Sequence, residues 1–268
     1  MVFVGDTSWG RGRCGAADIS GGELPTGEGA LNHKRPVMRS LVVISLLGGL
    51  LVGMAPSAHA AYYCFGRRAT IVGTNGADSL IGAPYRTDVI VGLGGNDWIS
   101  GGNDYPEKGD PPDFVCAGPG ADEVYGGPGA DRMLGGDGAD SLEGSFGPDY
   151  IDGNVGDDKV YDVDSEYEDV ADTLKGSQGN DEIVGDYGAD VLYGGDGADH
   201  LTVGSCADVQ RLYGGPGNDY LEAWQLLAFG DSCAYSGISD RVQGDGGYDT
   251  AVVNNADRVF TVEKRVNR

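Results

Sequence analysis

Between residues 126 and 161 an apolar residue returns every nine positions. Four consecutive units, 126–134 (GGPGADRML), 135–143 (GGDGADSLE), 144–152 (GSFGPDYID) and 153–161 (GNVGDDKVY), carry it at their eighth position. The residues around it read polar, apolar, variable, which is a short strand whose middle side chain points inward. Each unit also has Gly at its first and fourth positions and Asp at its sixth. A nine-residue period of this kind predicts an all-β parallel β-roll, in which two units close one coil and short strands cross between two rows of glycine turns.

Read outward from Gly126, the register predicts inward side chains at Leu80, Ile90, Ile99, Val124, Met133, Leu142, Ile151, Val160, Ile183, Leu192, Leu201, Leu221 and Ala251. Only Ala251 is too small to fill a core. The sixth positions are Asp78, Asp88, Asp97, Asp122, Asp131, Asp140, Asp149, Asp158, Asp181, Asp190, Asp199, Asp219 and Asp249. The roll is therefore expected over 73–253, at about 18 residues and ~4.8 Å per coil and on the order of 50 Å long.

Three stretches interrupt it. Residues 103–115 hold three Pro and read as a surface loop. Residues 162–175 begin with six carboxylates, at Asp162, Asp164, Glu166, Glu168, Asp169 and Asp172, and read as a solvated acidic loop, with an extra calcium site as the alternative. They lack the Gly and Glu that an EF-hand needs at its sixth and twelfth positions. Residues 223–239, with Trp224, Leu226, Leu227 and Phe229, read as a packed irregular insertion. Unit 203–211 keeps Asp208 but has Gln210 in the apolar place, so it is expected to be distorted. Residues 61–72 are expected to form an N-terminal cap strand. Apolar residues followed by Lys264, Arg265 and Arg268 make 254–268 a C-terminal cap over the open end of the solenoid.

The turn chemistry points to a cation. A corner that aims several carbonyls at one ion needs backbone conformations that Gly adopts freely, and a hard divalent ion takes a carboxylate oxygen to complete its shell. Asp at the sixth position provides it, and calcium is the expected ion, in several copies. These residues resemble the RTX, or haemolysin-type calcium-binding, repeats of bacterial exported proteins, over roughly 71–260. The resemblance implies that consecutive turns on one edge share a calcium, each giving its Asp and backbone carbonyls. Here those carbonyls would be Gly126, Gly127, Gly129, Gly135, Gly136, Gly138, Gly194, Gly195 and Gly197. A Gly- and Asp-rich tract with one apolar side chain per nine residues buries too little surface to order itself, so the calcium-free chain is expected to be disordered.

The formal charge of −24 and pI near 4.1 disfavour nucleic acid and anionic surfaces as partners, since phosphate binding needs clustered Lys and Arg. Arg39 followed by the apolar run 41–55 and by Ala58, His59 and Ala60 reads as a secretory signal peptide over 38–60, cleaved after Ala60. The run is short for a membrane span, so no integral membrane segment is expected after cleavage. Residues 1–37 are expected to be a leader or to precede the true start at Met38. Cys64, Cys116, Cys206 and Cys233 allow three pairings in an exported chain, and Cys64 with Cys116 and Cys206 with Cys233 is the expected one.

No catalytic site is expected. Neither HExxH nor GxSxG occurs, and Gly230-Asp231-Ser232 would need a His base for which only His200 remains after Ala60. The expected function is a secreted calcium-binding roll, structural or adhesive at the cell envelope, with envelope or extracellular-matrix components as partners. The alternative is a calcium-dependent extracellular hydrolase.

Overall fold

A computed structural model describes residues 61–102, 111–162, 170–204, 209–223, 241–253 and 257–267. The expected leader and signal peptide, Cys206, Cys233 and the insertion around Trp224 lie outside the described residues.

Alternating strands build two ten-stranded parallel sheets. Sheet I contains Ser79–Ile81, Trp98–Ser100, Glu123–Tyr125, Ser141–Glu143, Lys159–Tyr161, Glu182–Gly185, His200–Val203, Tyr220–Glu222, Thr250–Val253 and Lys264–Asn267. Sheet II contains Ile71–Val72, Val89–Val91, Phe114–Pro119, Arg132–Asp137, Tyr150–Val155, Thr173–Gln178, Val191–Asp196, Arg211–Pro216, Arg241–Gly246 and Arg258–Phe260. Successive strands of one chain segment fall in opposite sheets, so two nine-residue units make one coil.

The register keeps the eighth positions in line. Val124, Leu142, Val160 and Ile183 are consecutive partners in sheet I, as are Met133, Ile151, Leu174 and Leu192 in sheet II. These two columns, fully or almost fully buried, are the core between the sheets. Leu80, at the thin N-terminal end, is only partly buried against it. The side chains on either side of each column face outward, so the core is one residue deep from each sheet.

The interruptions are shorter than the sequence suggests. The loop expected over 103–115 ends before Asp113, which is buried, and Phe114–Pro119 is a full strand of sheet II. The acidic stretch expected over 162–175 likewise ends before Asp172, and Thr173–Gln178 re-enters sheet II. Unit 203–211 is shifted by two residues from the expected register: Leu212 is the core residue, and Gln210 holds the place of the sixth-position acid.

The N-terminal end is an antiparallel hairpin, Tyr63–Cys64 with Arg67–Arg68, that precedes the first strand of sheet II. Phe65 and Gly66 take positive φ at its turn, and a disulfide joins Cys64 to Cys116. Cys64 packs with Val89, Val91, Phe114, Cys116 and Leu134 in a second, smaller cluster on the outer side of sheet II. At the C-terminal end, Lys264–Asn267 and Arg258–Phe260 are the edge strands of the two sheets, and exposed Arg265 stands beside Ala251 in the core column.

Candidate metal centre

The sixth-position acids form two continuous rows, one along each line of turns. In the first, the backbone N–H of each Asp donates to Oδ1 of the Asp one coil further on. The row runs Asp78, Asp97, Asp122, Asp140, Asp158, Asp181, Asp199, Asp219, Asp249, with distances of 2.8–3.0 Å. The Asp249 N–H then donates to Glu263 Oε2 at 2.7 Å. The second row runs Asp88, Asp113, Asp131, Asp149, Asp172 and Asp190 in the same way, and the Asp190 N–H donates to Gln210 Oε1 at 2.8 Å.

One carboxylate oxygen is thus fixed by the backbone, and the other is aimed into the corner. In Asp97, Asp122, Asp140, Asp158, Asp172, Asp181, Asp199, Asp219 and Asp249 this Oδ2 is buried and accepts no hydrogen bond. A buried carboxylate oxygen without a donor is strongly unfavourable unless a cation meets it. The first-position glycines line the same space. A Cβ on Gly135 would lie 2.5 Å from Asp140 Oδ2 and 2.7 Å from the carbonyl oxygen of Gly153, the corresponding residue of the next coil. Gly194 repeats this, its Cβ falling against Asp199 Oδ2 and 2.5 Å from the Gly214 carbonyl oxygen. At these corners a carboxylate oxygen and a carbonyl oxygen of the next coil therefore converge on space that Gly leaves open. That donor set, all oxygen, is the one calcium takes.

The electrostatics agree. Burial pushes Asp122 and Asp199 up to about 6, and Asp140, Asp158, Asp181 and Asp219 up to about 7. The backbone N–H opposes the shift, and repulsion from the acid one coil back adds to it. Without metal a proton therefore competes for these oxygens near neutral pH, and a divalent cation at the corner would have to displace it.

The row ends differ. Asp78 Oδ2 accepts from the Thr74 backbone N–H and hydroxyl at 2.6 and 2.9 Å. Asp88 Oδ1 accepts from Arg86 Nη2 and Thr70 Oγ1, and its Oδ2 from Arg86 Nε and the Ala83 N–H. Burial would raise the Asp88 carboxyl, but the Arg86 guanidinium and the other donors together hold it below its usual value. With four donors on two oxygens, Asp88 has no lone pair left for calcium. Further along that row the Gln210 amide donates to the Gly188 carbonyl, so a neutral side chain bridges the corner.

Of the sequence-predicted ligands, Asp97, Asp122, Asp140, Asp158, Asp181, Asp199, Asp219 and Asp249 fall together in the first row. Asp131, Asp149 and Asp190 fall in the second, and Asp78 and Asp88 are the chain-closed ends. Sequence reading missed Asp113, Asp172 and Glu263 as members of the rows, and also Asp257, which is buried just before Arg258–Phe260. The carbonyl oxygens of Gly126 and Gly197 reach the adjoining corners, close to the places of a Cβ on Gly101 and Gly217. His200 is exposed on its strand, edge-on to the Tyr220 ring, 3.4 Å from Thr202 Oγ1 and beside Glu182 in the sheet register.

Stacked parallel coils whose corners present buried carboxylates and carbonyls to hard cations define a calcium-type β-roll. The RTX calcium-binding nonapeptide repeat model matches this chain at residues 85–104, 113–142, 134–161, 169–201 and 210–225. The chain belongs to the RTX calcium-binding repeat family. No curated protein matches it.

Proposed function

We propose that this chain is an exported calcium-binding β-roll that folds on meeting extracellular calcium and serves a structural or adhesive role at the cell envelope. One observation carries the reading: the row of buried Oδ2 atoms, from Asp97 to Asp249, with no donor of their own, each facing a first-position glycine except Asp122, whose unit has Ala117 there. Bound calcium would neutralise these carboxylates and add binding energy to the folded form alone. The ligands would be the Asp of the first row from Asp97 to Asp249, and Asp131, Asp149, Asp172 and Asp190 of the second, with carbonyls of the first-position residues.

Export is supported by the run 41–55 with its Ala58-His59-Ala60 end, and by the Cys64–Cys116 pair, which suits an oxidising compartment. Far-UV circular dichroism in chelator and in millimolar calcium tests the reading. The expected result is a disordered spectrum that turns into a β spectrum on adding calcium; identical spectra would overturn it.

A further inference from the structure

One corner of the second row breaks the repeat. Its neighbours in that row place Gly101, Gly126, Gly144 and Gly185 at the first position, whereas the coil after Tyr161 has Asp162. The backbone stays in register, because the Asp162 N–H donates to the Val184 carbonyl at 2.9 Å. The side chain, 0% exposed, is turned into the corner.

At the preceding corner of this row, the next coil presents a backbone carbonyl: a Cβ on Gly126 would lie 2.7 Å from Gly144 O. At the Asp162 corner it presents a carboxylate instead, with a Cβ on Gly144 2.7 Å from Asp162 Oδ1 and also against Asp149 Oδ2. Asp149, Asp162 and Asp172 each offer an oxygen, all within 4.8 Å of one another, and all three residues are buried. Asp172 Oδ2, in a residue 1% exposed, accepts no hydrogen bond. Ligand oxygens around one calcium, at about 2.3–2.6 Å from the ion, lie up to about 5 Å apart, so the three can share an ion.

We propose that Asp149, Asp162 and Asp172 form a single three-carboxylate calcium site that fills before the repeat corners. The proposal rests on the calcium-roll reading above and adds a specific site to it. A third carboxylate in place of a neutral carbonyl adds a full charge at contact distance, and calcium affinity rises steeply with the number of charged ligands. Filling this corner first would join the coils on either side of residues 163–169 and give the rest of the roll a folded edge on which to stack. Cooperative solenoids grow from such an edge.

Calcium titration of the full chain against a chromophoric chelator tests this in the wild type, Asp162→Gly and Asp162→Asn. The Gly variant restores the residue of the neighbouring units, and the Asn variant keeps the shape without the charge. Glu222→Gln, on a strand of sheet I, removes the same charge elsewhere. The expected result is a first ion bound at least about tenfold more tightly than the rest in wild type and in Glu222→Gln. Both Asp162 variants should lose it while later ions and the calcium-saturated circular dichroism stay unchanged. Calcium uptake in the same steps by wild type and both Asp162 variants overturns the three-carboxylate site alone. No calcium uptake by the wild type overturns the roll reading and this site together.

Discussion

Asp88 and Asp140 hold the same place in their units and meet their buried charge in opposite ways. Asp88 is paired with Arg86, and its carboxyl is held low. Asp140 has a buried oxygen that meets no donor, and its carboxyl is driven up to about 7. The difference follows from position in the stack. Arg86 stands where units further along have their fourth-position Gly, such as Gly138. In the interior that Gly has φ 144° and touches the coil before it; a Cβ on Gly138 would strike the Gly120 carbonyl. Before Asp88 there is a hairpin in place of a stacked corner, so a long cationic side chain can fold back onto the acid. A roll can carry its own counter-ion only at its end. Its interior has to import one.

The largest expected effect of that contrast is on removing calcium at neutral pH. Amide exchange should speed up by several orders of magnitude across 123–222, while 70–91, tied by Arg86 and by the Cys64–Cys116 disulfide, changes far less. Exchange measured by mass spectrometry with and without chelator checks this, and uniform loss of protection would remove the distinction.

Next comes pH. The interior carboxyls are raised in the fold, so in calcium-stripped protein they contribute stability that is fully present below about 4, the ordinary Asp value, and lost as pH rises through about 6 to 7. Asp88 has the opposite sign, and its contribution is lost only as pH falls through its lowered value. Stripped protein, disordered at pH 7.5, should therefore gain β structure with a melting transition as the pH is lowered to 5, and calcium affinity should fall as the solution is acidified from pH 7 to pH 5. Thermal melts and calcium titrations across this range check both signs.

Asp140→Ala sharpens the comparison at a single corner. It removes one ligand and leaves the buried Asp122 N–H without its acceptor, for a loss of about 3 kcal/mol in calcium together with a lower ion count. Native mass spectrometry and melting in calcium measure the two parts. The smallest effect is expected from Arg86→Gln, which frees Asp88: uptake of about one further calcium per chain, with protection of 83–91 becoming calcium-dependent. Unchanged ion content and protection would show that Arg86 does not stand in for an ion.

Much of this was legible in the sequence because the nine-residue phase carries both halves of the design. Leu142, Ile151 and Val160 mark the core, and the acids two residues earlier mark the corners. Legibility stopped where an insertion reset the count. Asp113-Phe114-Val115, Asp172-Thr173-Leu174 and Asp257-Arg258-Val259 keep the acid–x–apolar spacing, but their glycines are missing or displaced, so a register counted from Gly126 passes over them. Around Gln210 the count anchored on Asp208, an acid two residues too early, because an amide occupies the acid's place. Closure of the row ends went unread although Arg86 stands 2 and Thr74 4 residues before the acid it meets, because at those places the count looked for turn glycines and not for donors; Glu263, 14 residues past Asp249, is brought to it only by the last coil.

The central claim, that interior corners take cations and the Arg86 corner does not, is most directly tested by anomalous scattering from crystals grown in calcium. The account predicts ions beside Oδ2 of Asp140 and Asp158 and none at Asp88. Empty corners at Asp140 and Asp158, or an ion at Asp88 with Arg86 displaced, would contradict it.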